Sequence, residues 1–213
     1  MLETTENQPK PGEFFIIEPD ARRGGPGHGV VFENRKALIT PPRLILRPEE
    51  GGFPQLREVP RLVYRPKEGA LPQDLEGGFS GYWLVSERLR KVMDSVDPNA
   101  FVFVEADYRL GDGSAGPTFF LCDVVRTVDA LDEDASQLNI IISDEFVEGK
   151  YYDLTGDVRL AFKKDALGSL HVFRLPYHGM VFCDRVFKDA VEAAGIGGQS
   201  GSDGLWFDDV VNG

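Results

Sequence analysis

The residues of this 213-residue chain that could do chemistry are three histidines, two cysteines and a large excess of carboxylates. Their spacing limits each of them. His28, His171 and His178 show no paired spacing with one another or with Cys122 and Cys183, so no convergent metal-ligand set is predicted. Both cysteines sit inside apolar runs, where small buried thiols are common, and two are too few for a disulfide framework. Glu148-Gly149-Lys150, with Asp144 upstream, has the carboxylate-lysine make-up of metal-dependent nucleases. Such triplets are frequent by chance, and a net charge of -12 would repel a polyphosphate substrate. Neither a nucleophile elbow nor a P-loop is present, and Gly195 to Gly201 misses the dinucleotide fingerprint by one position and follows a helical pattern instead of preceding one. A hydrolase would need carboxylates such as Asp107 and Glu148 to converge. The chain therefore reads as a non-enzyme with no metal and no cofactor. The competing binding-module reading uses the Gly/Arg-rich loop 22–29, whose backbone amides and arginines would cradle a small anionic ligand, although its glycine spacing matches no phosphate motif.

The charge becomes informative when it is located. Between Asp94 and Asp157 lie 15 acids against Arg109, Arg126 and Lys150, which is the whole imbalance; the rest of the chain balances 20 acids with 20 bases. A concentrated anion of this kind disfavours nucleic acid and anionic membranes and favours fast association with a basic partner. The plainer reading is an acidic surface that keeps the protein soluble. No run approaches the roughly 18 apolar residues of a membrane helix. The first residues lack the basic-then-apolar layout of a secretion signal, so a cytoplasmic address is expected.

The elements that must position these groups are read from periodicity. Trp83-Leu84-Val85-Ser86-Glu87-Arg88-Leu89 returns 97 positions later as Met180-Val181-Phe182-Cys183-Asp184-Arg185-Val186. In each copy a strand-like run meets a polar residue, an arginine and then a helical pattern. Leu89, Val92, Met93 and Val96 share one helix face, as do Val186, Phe187, Ala190, Val191 and Ala194. Ser86 and Asp184 are placed to cap these helices, Pro98 ends the first, and Gly195 offers the left-handed conformation that ends the second. Arg88 and Arg185 lie in first turns, where the helix dipole disfavours a cation, so each is expected to pair with an acid.

Elsewhere the sequence predicts strands at 13–17, 30–32, 44–46, 62–64, 101–104, 119–122 and 205–207. Ile140, Ile141 and Ile142 read as a buried strand, and 158–162 with 170–175 as a hairpin. The predicted class is α+β, with mixed or antiparallel sheets and two short helices from a duplicated strand-helix-strand unit. Residues 1–12 read as a flexible arm and 13–213 as a single α+β domain, with 111–117 as the joint if there are two lobes.

The run Tyr82 to Leu89, the middle Phe119-Phe120-Leu121-Cys122-Asp123-Val124-Val125 leading to Leu131-Asp132, and Val172-Phe173-Arg174-Leu175 through Val181-Phe182-Cys183-Asp184-Arg185 resemble the bacterial immunity protein eleven family. The likeness covers about residues 80 to 210. Its second cassette carries Cys183-Asp184-Arg185 where the family usually has Ser-Glu-Arg, a conservative departure. The resemblance implies an immunity protein that binds and neutralises a cognate toxin of interbacterial competition, often of nuclease type. It implies neither nucleic-acid nor membrane binding. The densest acids, Asp129, Asp132, Glu133, Asp134, Asp144 and Glu145, are the candidate contacts with a basic toxin.

Overall fold

In the computed structural model, residues 8–22, 27–39, 47–146, 148–197 and 203–211 are described. The expected strand at 44–46, part of loop 22–29, the end of the glycine run and the first seven residues of the arm lie outside them. The elements are, in order, β1 (Phe14–Pro19), β2 (Val30–Phe32), β3 (Arg61–Tyr64), β4 (Leu75–Phe79), β5 (Tyr82–Ser86), α1 (Glu87–Val96), β6 (Phe101–Arg109), β7 (Phe119–Val124), β8 (Asn139–Ile142), β9 (Lys150–Asp153), α2 (Lys164–Leu167), β10 (Val172–Leu175), β11 (His178–Asp184), α3 (Arg185–Ala193) and β12 (Leu205–Asp209). The fold is α+β. The helix of each cassette forms as its spacing predicts, and α2 adds a single turn to the two expected.

The strands make a six-stranded sheet in the order β2-β3-β6-β7-β5-β4, a four-stranded sheet in the order β10-β11-β1-β12, and the pair β8-β9. The six-stranded sheet is mixed because β3 runs parallel to β6. Within it, β4-β5-β7-β6 has the same layout as β10-β11-β1-β12. In each, a hairpin strand lies beside the strand that enters the helix, and the strand that leaves the helix lies beyond an inserted middle strand. The likeness extends to register. Ser86, Val85, Leu84 and Trp83 lie opposite Phe119, Phe120, Leu121 and Cys122, and Asp184, Cys183, Phe182 and Val181 lie opposite Phe14, Phe15, Ile16 and Ile17. Both middle strands therefore open with two phenylalanines set against the helix cap.

The caps work as their residue types require. Ser86 Oγ accepts the Leu89 N–H at 3.1 Å and Asp184 Oδ1 accepts the Phe187 N–H at 3.0 Å, each relieving an orphan donor of the first helical turn. The next amides, of Glu87 and Arg185, donate to the carbonyls of Thr118 and Glu13, the residues before each phenylalanine pair. At the far end of α3, Gly195 has φ +72°, and Ile196 N–H donates to Val191 C=O at 3.2 Å, the left-handed closure expected of that glycine. Arg88 pairs with Asp74, and Arg185 Nη1 lies 3.7 Å from Asp189, so both first-turn cations have acids beside them. Cys122 and Cys183 are buried free thiols.

The chain divides into two compact units. One comprises Met1–Glu18, Arg126–Asp189 and Phe207–Gly213, the other Pro19–Val125 and Ala190–Trp206. The second packs Leu38, Leu62, Phe79, Tyr82, Leu84 and Leu121 into its core. Residues 111–117, expected as a joint, connect β6 to β7 inside that unit, and the chain passes between units elsewhere. The first unit packs Tyr152, Leu160, Phe162, Phe173 and Phe182. The expected 158–175 hairpin does not form. Phe162 bridges to Leu131 and Arg159 to Gln137, α2 intervenes, and β10 pairs with β11. Distant partners satisfied the backbone groups that the hairpin would have used.

Candidate partner-binding site

Four of the six candidate acids, Asp129, Asp134, Asp144 and Glu145, are exposed, and all six belong to the same compact unit. The other two have structural partners. Asp132 is half-buried and accepts the Ala135 N–H at 3.2 Å, closing its own turn. Glu133 accepts from Lys150 Nζ at 2.5 Å and from Tyr152 OH at 2.6 Å. The two donors hold the Glu133 carboxyl below its ordinary pKa, and Glu133 in turn raises that of Lys150. The negative charge of Asp129 adds to the upward shift of the pKa of both Lys150 and Tyr152. Lys150 also lies 4.1 Å from the centre of the Tyr177 ring. With carboxylate and rings around it, Lys150 has the setting of an anchor for β9 and not that of a nuclease lysine.

Lys150 begins β9 opposite Ile142, so this cluster braces the β8-β9 hairpin close to the turn that carries Asp144 and Glu145. The hairpin turns because Ser143 N–H donates to Gly149 C=O at 3.1 Å, with Gly149 at φ +69°. Ile140 packs on the core below, and Tyr152 is fully buried there. On the strand opposite β8, Tyr151 stacks on Phe146 with centroids 5.3 Å apart and approaches the His178 ring at 5.4 Å.

The expectation that β8 is a buried strand is corrected here. Ile142 is 73% exposed and Ile141 38% exposed. An apolar run reads as buried when both faces are assumed to be covered along their whole length, but Ile141 lies on the face away from the core, and Ile142, on the face of Ile140, lies beyond the core's edge. The density of acids thus marks the hairpin turn, while Ile141, Ile142, Phe146 and Tyr151 join the candidate site only in the structure. Their signal was available: three isoleucines without a charge, a glycine turn, then paired tyrosines opposite. The result is an exposed apolar strand, with Ile141 and Tyr151 on one face and Ile142 on the other, that leads into Asp144 and Glu145.

The other candidate chemistry is accounted for locally. His28 Nε2–H donates to Gly77 C=O at 3.0 Å, its Nδ1 accepts the Val30 N–H at 3.2 Å, and its ring stacks on Phe79. His171 Nδ1 lies 2.8 Å from Asp184 Oδ2. Asp107 is held by Arg109 Nε at 2.7 Å. Of loop 22–29, residues 23–26 lie outside the described residues. Among the described residues no group of three or more His, Cys, Asp and Glu is arranged to hold a metal, and no helix is long and apolar enough to cross a membrane.

Comparison with known proteins matches residues 13–212 to the model of the immunity protein family (Imm11). The likeness expected from residue 80 onward thus reaches back to residue 13, where β1 begins to supply the middle strand of the second cassette's sheet. No curated protein matches the chain.

Proposed function

The chain belongs to the immunity protein family (Imm11), and we propose that it binds and neutralises a cognate interbacterial toxin, a basic effector of nuclease type, through the acidic face of the β8-β9 unit. The observation that carries this reading is the exposure of Asp144 and Glu145 in the turn of an apolar hairpin that Glu133 braces through Lys150, with Asp129 and Asp134 also exposed in the same compact unit. A nuclease domain presents cations that hold phosphate. Carboxylates offered at the turn of the strand pair and in the segment before it occupy those cations and speed encounter through long-range attraction. Neutralisation requires affinity and excess, not turnover, and nuclease inhibitors of other families reach dissociation constants of roughly 10⁻¹³ to 10⁻¹⁶ M. The protein acts in the cytoplasm of the producing cell, before its own toxin can cleave nucleic acid, and needs no cofactor.

Growth rescue tests this reading. Each nuclease-type toxin domain of the producing strain is expressed in a susceptible host with and without this chain. Rescue of growth, together with a stoichiometric complex of the purified pair, is expected. Continued killing at equal expression, with no complex formed, would refute it.

A further inference from the structure

The hairpin's outer edge has no neighbour among the described residues, since β8 is paired with β9 alone. In an antiparallel ladder, alternate residues turn both backbone groups toward the neighbouring strand or away from it. Ser143 N–H points inward, to Gly149 C=O, whereas Tyr152 N–H points away from β8, to Tyr177 C=O at 3.1 Å. Tyr152 is opposite Ile140, and Lys150 is opposite Ile142. It follows that Ile140 and Ile142 direct their N–H and C=O groups outward, while Ile141 and Ser143 face β9.

Sheet proteins guard such edges with lysine, proline, a bulge or a short strand. Asn139-Ile140-Ile141-Ile142 has neither lysine nor proline, and its register with β9 is unbroken. Its four-residue length is the remaining protection. The exposed side chains of Ile141 and Ile142 flank this edge, and Asp144, Glu145 and Glu148 stand exposed just beyond its end.

We propose that β8 is the strand on which the toxin docks: an extended segment of the partner pairs with the outward groups of Ile140 and Ile142, packs apolar side chains on Ile141 and Ile142, and sets Lys or Arg against Asp144 and Glu145. The inference rests on the reading of the chain as the inhibitor of a basic toxin. Backbone pairing supplies affinity in such strand addition, and the flanking side chains supply selectivity. The acids choose the occupant. A second copy of this chain, also at -12, is opposed by like charge, whereas a basic segment is attracted.

Amide hydrogen exchange resolved by NMR tests this, on the full chain alone and with the purified toxin domain whose killing the chain relieves. In the free chain Ile140 and Ile142 exchange quickly, and Ile141 and Ser143 slowly. In the complex the two outward amides slow by about tenfold or more, the effect of one added hydrogen bond each. Ile142→Pro removes one outward N–H while leaving the bonds to β9 in place, as proline on an edge strand allows, and is expected to weaken binding by about tenfold or more. A complex in which the outward amides keep their free rates overturns strand docking and leaves the inhibitor reading standing. Absence of any complex with the wild-type chain refutes that reading and strand docking with it. Protection of Ile140 and Ile142 that grows with the concentration of the free chain would identify a second copy as the occupant and also overturn the proposal. Because the wild-type exchange pattern decides by itself, the outcome does not depend on how well Ile142→Pro folds.

Discussion

A carboxylate's neighbours, more than its place in the charge run, decide whether it is available to a partner. Asp123 lies in the anionic stretch yet is buried, accepting from Arg47 Nε at 2.9 Å and from Gly52 N–H at 2.7 Å, and it ties the 47–52 segment onto β7. Asp123→Ala leaves both donors without their acceptor and is expected to cost about 2–4 kcal/mol, read from the midpoint of denaturant unfolding. A loss below about 0.5 kcal/mol would mean that water replaces the carboxylate without strain. Glu133 is the intermediate case. Its folded pKa is depressed below 4.5 by Lys150 and Tyr152, so the stability it contributes is complete above the unfolded value and is lost as pH falls through the folded one. Thermal melts from pH 7 to pH 3 should show Glu133→Gln less stable than wild type at pH 7, with the gap closing below about pH 4.5. A gap independent of pH would show that the pair is held by packing alone.

At the scale of elements, each cassette depends on one cap at the junction of strand and helix. Ser86→Ala should cost about 1 kcal/mol, the usual value of a lost N-cap. Asp184→Ala should cost at least as much, because each cap also bonds a second side chain, Ser86 Oγ donating to Asp74 and Asp184 holding His171; a loss confined to one of the two melts would argue against equivalent caps. These cassettes were legible in the sequence because their signals are local: a 3.6-residue period, a capping side chain and a terminating Pro98 or Gly195. The shared sheet layout was not. Its middle strand follows the cassette as Phe119-Phe120 in one case and begins the first sheet strand of the chain as Phe14-Phe15 in the other, so no fixed offset in the sequence reveals it. The same non-local pairing defeated the 158–175 hairpin, whose first half bridges to residues before β8. Of the candidate site, charge density showed the acids, while the exposure of Ile141 depended on which face of the hairpin the core would cover and that of Ile142 on how far along β8 the core would reach.

At the scale of the molecule, the net charge of -12 arises in the middle of the chain, and its exposed share around β8 and β9 is the proposed guide for a basic toxin. Long-range attraction acts on the rate of encounter and is screened by salt, whereas losing buried contacts acts on the rate of escape. Reversal of Asp129, Asp134, Asp144 and Glu145 to Lys spares the structural acids Asp123, Asp132 and Glu133, so the fold should persist. The decisive measurement is the association rate constant of the wild-type and reversed chains with the toxin domain whose killing the chain relieves, across a range of ionic strength. The account predicts that the reversed chain associates on the order of ten- to a hundredfold more slowly at low salt and that the two rates converge as salt rises. Equal rates at low salt, for two chains of equal stability, would contradict it and reduce the acidic face to a solubilising surface.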